Sequence, residues 1–190
     1  MSRPLPLVAV IGRPNVGKST LFNRLVGGAV AVVDDFPGVT RDRREAETSW
    51  SGTSFRVVDT GGLVPGTHDS MEAAILIQVD LALASADLIL FVFDAREGLT
   101  PFDRGIAEHL RAYVDRTLLV ANKVEGPNQE IASHEGAELG FGIPWMISGQ
   151  HGRGVGDLLD EVVGRIPKRP ASNGDLAQDR IRLRLDHQNR

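Results

Sequence analysis

Gly12-Arg13-Pro14-Asn15-Val16-Gly17-Lys18-Ser19 matches the pattern G-x-x-x-x-G-K-[ST], and its setting restricts the fold more than any other stretch of the chain. Before it, Leu7-Val8-Ala9-Val10-Ile11 is an unbroken apolar run, as expected of a short strand buried on both faces of a parallel sheet. After it, Leu21, Phe22, Leu25 and Val26 recur at helical spacing from Lys18, and Gly27-Gly28 supplies a stop. A glycine-rich turn alone would be weak evidence; a glycine loop joining a strand to a helix is strong evidence for a phosphate cradle. The glycines free backbone N–H groups to wrap phosphates, and the helix amino terminus adds positive potential. Lys18 is expected to reach the β- and γ-phosphates and Ser19 to ligate magnesium.

The rest of the chain extends this unit into an α/β sheet. Arg44 to Trp50 and Thr53 to Asp59 read as two strands joined at Ser51-Gly52, a hairpin that adds one antiparallel edge. Leu88 to Phe93, Thr117 to Ala121 and Pro144 to Ile147 are compact apolar runs, each followed by a polar loop and a helix-like stretch. The expectation is a doubly wound, mostly parallel sheet. Ligands in such sheets sit beyond the carboxyl ends of the strands, where Gly12, Asp59, Asn122 and Ser148 would all emerge.

Three further segments carry chemistry. Asp59-Thr60-Gly61-Gly62 ends a strand, so its carboxylate can hold magnesium through water while the Gly62 N–H meets a γ-phosphate. Asn122-Lys123-Val124-Glu125 follows another strand, and a carboxylate at Glu125 can accept from two donors on the guanine edge that adenine lacks. Guanine is the expected base, and an ATPase the less favoured alternative. Thr40 lies in the long loop before the first hairpin strand, where its hydroxyl and carbonyl can close over magnesium when a γ-phosphate is present. An ordinary surface loop is the competing reading.

Composition excludes other chemistries. With 190 residues the chain is one domain with some to spare, able to bury roughly 70% of its unfolded surface. It has no cysteine, so thiol nucleophiles, disulfides and cysteine-zinc sites are out. The five histidines, His68, His109, His134, His151 and His187, show no metal-ligand spacing and read as surface residues. Asp34-Asp35 reads as a solvated pair rather than an acid/base couple. A net charge of −4 gives no global field for nucleic acid. No apolar run approaches the ~20 residues that span a bilayer, so a cytoplasmic protein without a membrane partner is expected. Pro167, Pro170, Ser172, Asn173 and Gly174 break the pattern, placing a G-type domain at 1–167 and a linker at 168–190.

At these motifs the chain resembles the Der (EngA) GTPases, whose first G domain carries GxPNVGKST, PGVTRDR, DTGGL and NKxD. The likeness runs from about Leu7 to Ile166, includes Thr20 and Leu63, and continues in the loop Ser148-Gly149-Gln150-His151-Gly152. PGVTRDR followed by DTGGL is closer to Der than to Era or to the tRNA-modifying TrmE proteins. The resemblance implies GTP and GDP as ligands, magnesium on Ser19, Thr40 and Asp59, and a role in large-subunit assembly through ribosomal RNA or protein. It also implies potassium, held by Asn15 with backbone carbonyls near Asp35 to Gly38. Arg41, Arg43 and Arg44 become candidates for ribosomal RNA contact, with a solvated basic edge as the equal alternative. Ile181 to Leu185 reads as the start of a second G domain, cut short, and the isolated domain is expected to be monomeric. Glu125 departs from the family aspartate by one methylene, and Gly149 stands where alanine is usual. Leu63 cannot orient a water as the glutamine of Ras-like enzymes does. Besides a GTPase, a nucleotide sensor with negligible hydrolysis in isolation fits the same motifs.

Overall fold

The computed structural model describes residues 4–27, 44–62 and 71–168. Thr40, Leu63, Asp34, Asp35, Arg41, Arg43, His68, His187 and the run Ile181 to Leu185 lie outside them. Six strands form one sheet in the order β2-β3-β1-β4-β5-β6. They are β1 (Leu7–Ile11), β2 (Arg44–Trp50), β3 (Thr53–Asp59), β4 (Leu88–Asp94), β5 (Thr117–Asn122) and β6 (Trp145–Met146). Only β2 runs antiparallel, against β3, as the hairpin requires. Its turn places Ser51 at φ 47° and Gly52 at φ 76°, the double left-handed conformation that matches strand twist in a two-residue hairpin.

The helices are α1 (Lys18–Val26), α2 (Met71–Ser85), α3 (Pro101–Leu110), α4 (Pro127–Ser133) and α5 (Val155–Arg165). Strand alternation decides which helices each face meets. Val8 and Val10 of β1 join Leu90, Val92 and Val120 in a core closed by Leu21, Phe22 and Leu25 of α1 and Leu158 and Val162 of α5. Leu7, Ala9 and Ile11 point the other way, into a core with Val79 of α2 and Ile106 and Leu110 of α3. Both faces of the central strands are therefore buried, which is why their sequences are apolar without alternation. β6 is shorter than the apolar run Pro144 to Ile147, since Pro144 has no N–H to give a ladder. α3 opens on a reciprocal capping box, with Thr100 and Asp103 each accepting the other's backbone N–H. Among the described residues no helix is long and apolar enough to cross a membrane.

Candidate nucleotide site

The loop between β1 and α1 is fixed at both ends by close backbone approach. A Cβ on Gly12 would lie 2.4 Å from the Val92 carbonyl oxygen, and one on Gly17 would lie 2.4 Å from Asn122 Nδ2. Gly17 also has φ 93°, so only glycine fits there without strain. Within the loop Pro14 and Asn15 are exposed and Val16 is buried; Thr20 faces outward from the first turn of α1. Lys18 lies under the loop, 7% exposed, with Nζ donating to the carbonyls of Gly12 at 2.9 Å and Arg13 at 2.7 Å. Burial lowers its pKa; Asp59 opposes that shift and Arg13 adds to it. Gly17 offers no side-chain cap to α1 and the first turn holds no acid, so neither a cap nor an acidic side chain offsets the positive end of the helix.

Asp59 arrives from the end of β3. Ser19 Oγ donates to Asp59 Oδ2 at 2.7 Å, and the Gly61 N–H donates to Oδ1 at 2.8 Å. Thr60 Oγ1 donates to the Val10 carbonyl at 2.9 Å, tying the turn to β1, and Gly62 ends that turn. The spacing of 40 residues between Ser19 and Asp59 is thus closed by two neighbouring parallel strands. A buried carboxylate and a hydroxyl beside an ammonium form the oxygen donor set that suits magnesium. Among the described residues no group of three or more His, Cys, Asp and Glu could hold a metal ion.

The Asn122-Lys123-Val124-Glu125 segment begins at the last residue of β5. Asn122 is buried; its Nδ2 donates to the Val16 carbonyl at 2.9 Å and its Oδ1 accepts the Gly149 N–H at 2.9 Å. Lys123 adopts φ 67° and donates from Nζ to the Asn15 carbonyl at 2.6 Å and to Asp94 Oδ2 at 2.5 Å. Val124 is buried, with its N–H on the Ile147 carbonyl at 2.9 Å. Ser148 is buried after β6 and accepts the His151 N–H on Oγ at 3.3 Å, while Arg24 of α1 holds the Gly149 carbonyl from Nε at 3.0 Å. Glu125 extends outward to an ion pair with Arg96, and His151 Nε2 lies 3.6 Å from its other oxygen.

The four segments therefore converge as the sequence implies, but several contributors, Arg24 of α1 among them, lie outside its motifs. Asp94 and Arg96, at the end of β4, join Lys123 and Glu125 to each other's surroundings. Asp103 of α3 pairs with Arg13, whose guanidinium also meets Glu97 at 2.5 Å; burial opposes this charge, and Asp103 and Glu97 overcome it so that the Arg13 pKa is raised. Only the apolar run preceding Asp94 hinted that its end would line the site.

A mostly parallel sheet with a lysine-bearing glycine loop, an aspartate at the neighbouring strand end and an Asn-Lys pair across the sheet defines a P-loop GTPase domain. The profile described as 50S ribosome-binding GTPase matches residues 7–123, and the chain belongs to that family. Within it the chain is of the Der type. It is 53% identical over 156 residues to GTPase Der of Aquifex aeolicus, covering 82% of this chain and 36% of that protein. It is 50% identical over 168 residues to GTPase Der of Moorella thermoacetica, covering 88% of this chain and 38% of that one. The chain thus spans well under half the length of these relatives. Among solved structures, Era bound to MgGDPNP and a segment of 16S ribosomal RNA superposes with a TM-score of 0.67 at 27% identity, covering 92% of this chain and 61% of that one. Aquifex aeolicus Era bound to GDP·AlF4− gives 0.65 at 27%, covering 88% and 59%.

Proposed function

We propose that the chain binds GTP with magnesium, hydrolyses it with help from potassium, and serves assembly of the large ribosomal subunit as part of a longer Der-type protein. The observation that carries the chemistry is the Ser19–Asp59 hydrogen bond beside the buried Lys18. Ser19 and Asp59 would hold magnesium, directly and through water, and the ion would supply positive charge to the β- and γ-phosphate oxygens. Lys18 exchanges its two loop carbonyls for phosphate oxygens, where its charge is worth more against the transferring group than against neutral acceptors. The Gly62 N–H meets the γ-phosphate, and Thr40 closes over the same place. Glu125 accepts from the two donors of guanine, while Lys123, Asn122 and Gly149 hold the surrounding loops. Leu63 provides no group to orient the attacking water, which supports a slow basal reaction.

The large-subunit assignment is supported by the description of the matching family, 50S ribosome-binding GTPase; the Era structure, which carries a segment of small-subunit 16S RNA, supports only a ribosomal RNA partner in general. The decisive experiment titrates GTP, GDP and ATP with and without magnesium, and follows phosphate release in single turnover. Magnesium-dependent GTP binding that Ser19→Ala weakens is expected; equal GTP affinity in the parent and Ser19→Ala, with or without magnesium, would reject the metal assignment. Release of phosphate no faster than in buffer would favour a sensor over an enzyme.

A further inference from the structure

Glu125 is one part of a closed arrangement at the base-reading corner. Arg96 Nη2 donates to Glu125 Oε2. Arg96 rises from the turn after β4, and the turn is itself fixed by Asp94, which is 2% exposed. Asp94 accepts the Arg96 backbone N–H on Oδ1 at 2.8 Å and the Lys123 ammonium on Oδ2 at 2.5 Å. One buried carboxylate therefore sets the root of the Arg96 side chain and the lysine two residues before Glu125. The pairing with Glu125 raises the Arg96 pKa, so the guanidinium stays charged.

The length of Glu125 gives this arrangement its purpose. A glutamate has one more rotatable bond than an aspartate, and a partly exposed one spreads over several rotamers unless something holds it. Arg96 engages one oxygen and removes that freedom. A carboxylate has about four lone-pair positions, so a guanidinium on Oε2 leaves acceptor capacity for two guanine donors. Arg96 and Glu125 side chains are 50% and 31% exposed, and ion pairs in that setting add little to folding stability. Orientation, then, is what the pair can contribute.

We infer that Arg96 is a positioning residue for base recognition, which holds the longer carboxylate of Glu125 where the two-donor edge of guanine meets it and so sets guanine selectivity. The inference rests on the reading of Glu125 as the base acceptor. Selectivity is a difference between ligands, so the probes are GDP and inosine diphosphate, which lacks the 2-amino donor. Their dissociation constants are measured for the parent, Arg96→Ala, Arg96→Lys, Glu125→Ala, Glu125→Asp and Glu125→Asp with Arg96→Ala. Arg96→Ala is expected to lower the preference for GDP over inosine diphosphate roughly tenfold, the size of one charge-assisted hydrogen bond. Inosine diphosphate, which keeps the N1 donor, should lose clearly less affinity than GDP, the melting temperature should stay near the parent value, and Arg96→Lys should recover part of the preference. In the Glu125→Asp background Arg96→Ala should change nothing, because the shorter carboxylate no longer needs the anchor.

An unchanged preference in Arg96→Ala overturns the inference, as does an equal loss for both nucleotides, which would mark a merely structural role. A raised preference overturns it too, since Arg96 would then compete with the base for Glu125. An effect of Arg96→Ala that persists in Glu125→Asp shows that it acts by another route and is equally fatal. Should Glu125→Ala keep the full preference for GDP, the base-acceptor reading falls and takes the inference with it. Loss in Glu125→Ala but not in Arg96→Ala rejects the inference alone.

Discussion

Asn122 Oδ1 accepts the backbone N–H of Gly149 at 2.9 Å, joining the end of β5 to the loop after β6. The other end of the same amide donates to the Val16 carbonyl at 2.9 Å. One buried side chain thus ties three loops of the site. Removing it leaves a buried N–H and a buried carbonyl without partners, at about 1–3 kcal/mol each. Asn122→Ala is expected to lower unfolding free energy by about 2–4 kcal/mol in urea titration, besides weakening nucleotide binding. A loss below about 1 kcal/mol would mean that water or the backbone replaces both bonds.

Gly17 and Gly149 both abut Asn122, yet their alanine variants should differ sharply. At Gly17 an added Cβ meets Asn122 Nδ2 at 2.4 Å on a backbone with φ 93°, so clash and strain combine. At Gly149 the nearest atom is Asn122 Oδ1 at 3.3 Å and no unusual φ is involved. Gly17→Ala is expected to cost about 2–4 kcal/mol and Gly149→Ala less than about 1. Thermal melts of the two variants, in parallel with the parent, check the order.

How much of this was legible in the sequence depends on where the determinants lie. The hairpin of β2 and β3 could be bounded to the residue, because its two-residue turn and flanking patterns are local. The convergence of Gly12, Asp59, Asn122 and Ser148 followed from strand-end logic, and the sheet order bears it out. α2 has no such signature: Met71–Ser85 carries apolar residues all around its circumference, so periodicity cannot mark its faces. Asp94 and Arg96 were invisible for a different reason. Asp-Ala-Arg after an apolar run has no distinctive spacing, and its role arises only when β4 lies parallel to β5 and brings Asp94 level with Asn122. His151 read as a surface histidine; it is exposed, but stands beside Glu125 because the loop after β6 folds back over β5.

Lys18 carries a second prediction besides loss of tight GTP binding in Lys18→Ala. Burial is the largest influence on its ammonium and lowers the pKa from 10.5, so the charged form weakens the fold without nucleotide. That penalty is present in full below the folded pKa and is relieved as pH rises from there towards 10.5. Lys18→Met, similar in length and uncharged, is therefore expected to match or exceed the nucleotide-free parent in stability at neutral pH. The gap should narrow as the pH is raised. Denaturant midpoints across that range test this; a variant less stable than the parent at neutral pH would show that the bonds to the Gly12 and Arg13 carbonyls outweigh desolvation.

The proposed potassium dependence is tested at Asn15. In that proposal Leu63 has no group to orient water, and a cation offsets the charge that spreads over the bridging and terminal oxygens, where such a charge can be worth ~10³ in rate. Asn15 is exposed in the phosphate loop with φ 66°, a conformation in which asparagine is favoured for its own sake. Its carbonyl accepts from Lys123 Nζ at 2.6 Å, so the backbone there also ties the phosphate loop to the segment after β5. Alanine at Asn15 would combine loss of the amide with backbone strain of about 1–2 kcal/mol. Glycine separates the two effects, since it keeps the left-handed backbone and removes only the side chain. Phosphate release by the parent is expected to be faster in potassium than in sodium at equal ionic strength, where general screening cancels. Asn15→Gly should lose that advantage while keeping its sodium rate and GDP affinity. Equal parent rates in the two salts would end the potassium assignment, whereas a potassium advantage that survives in Asn15→Gly would move the ion to other ligands.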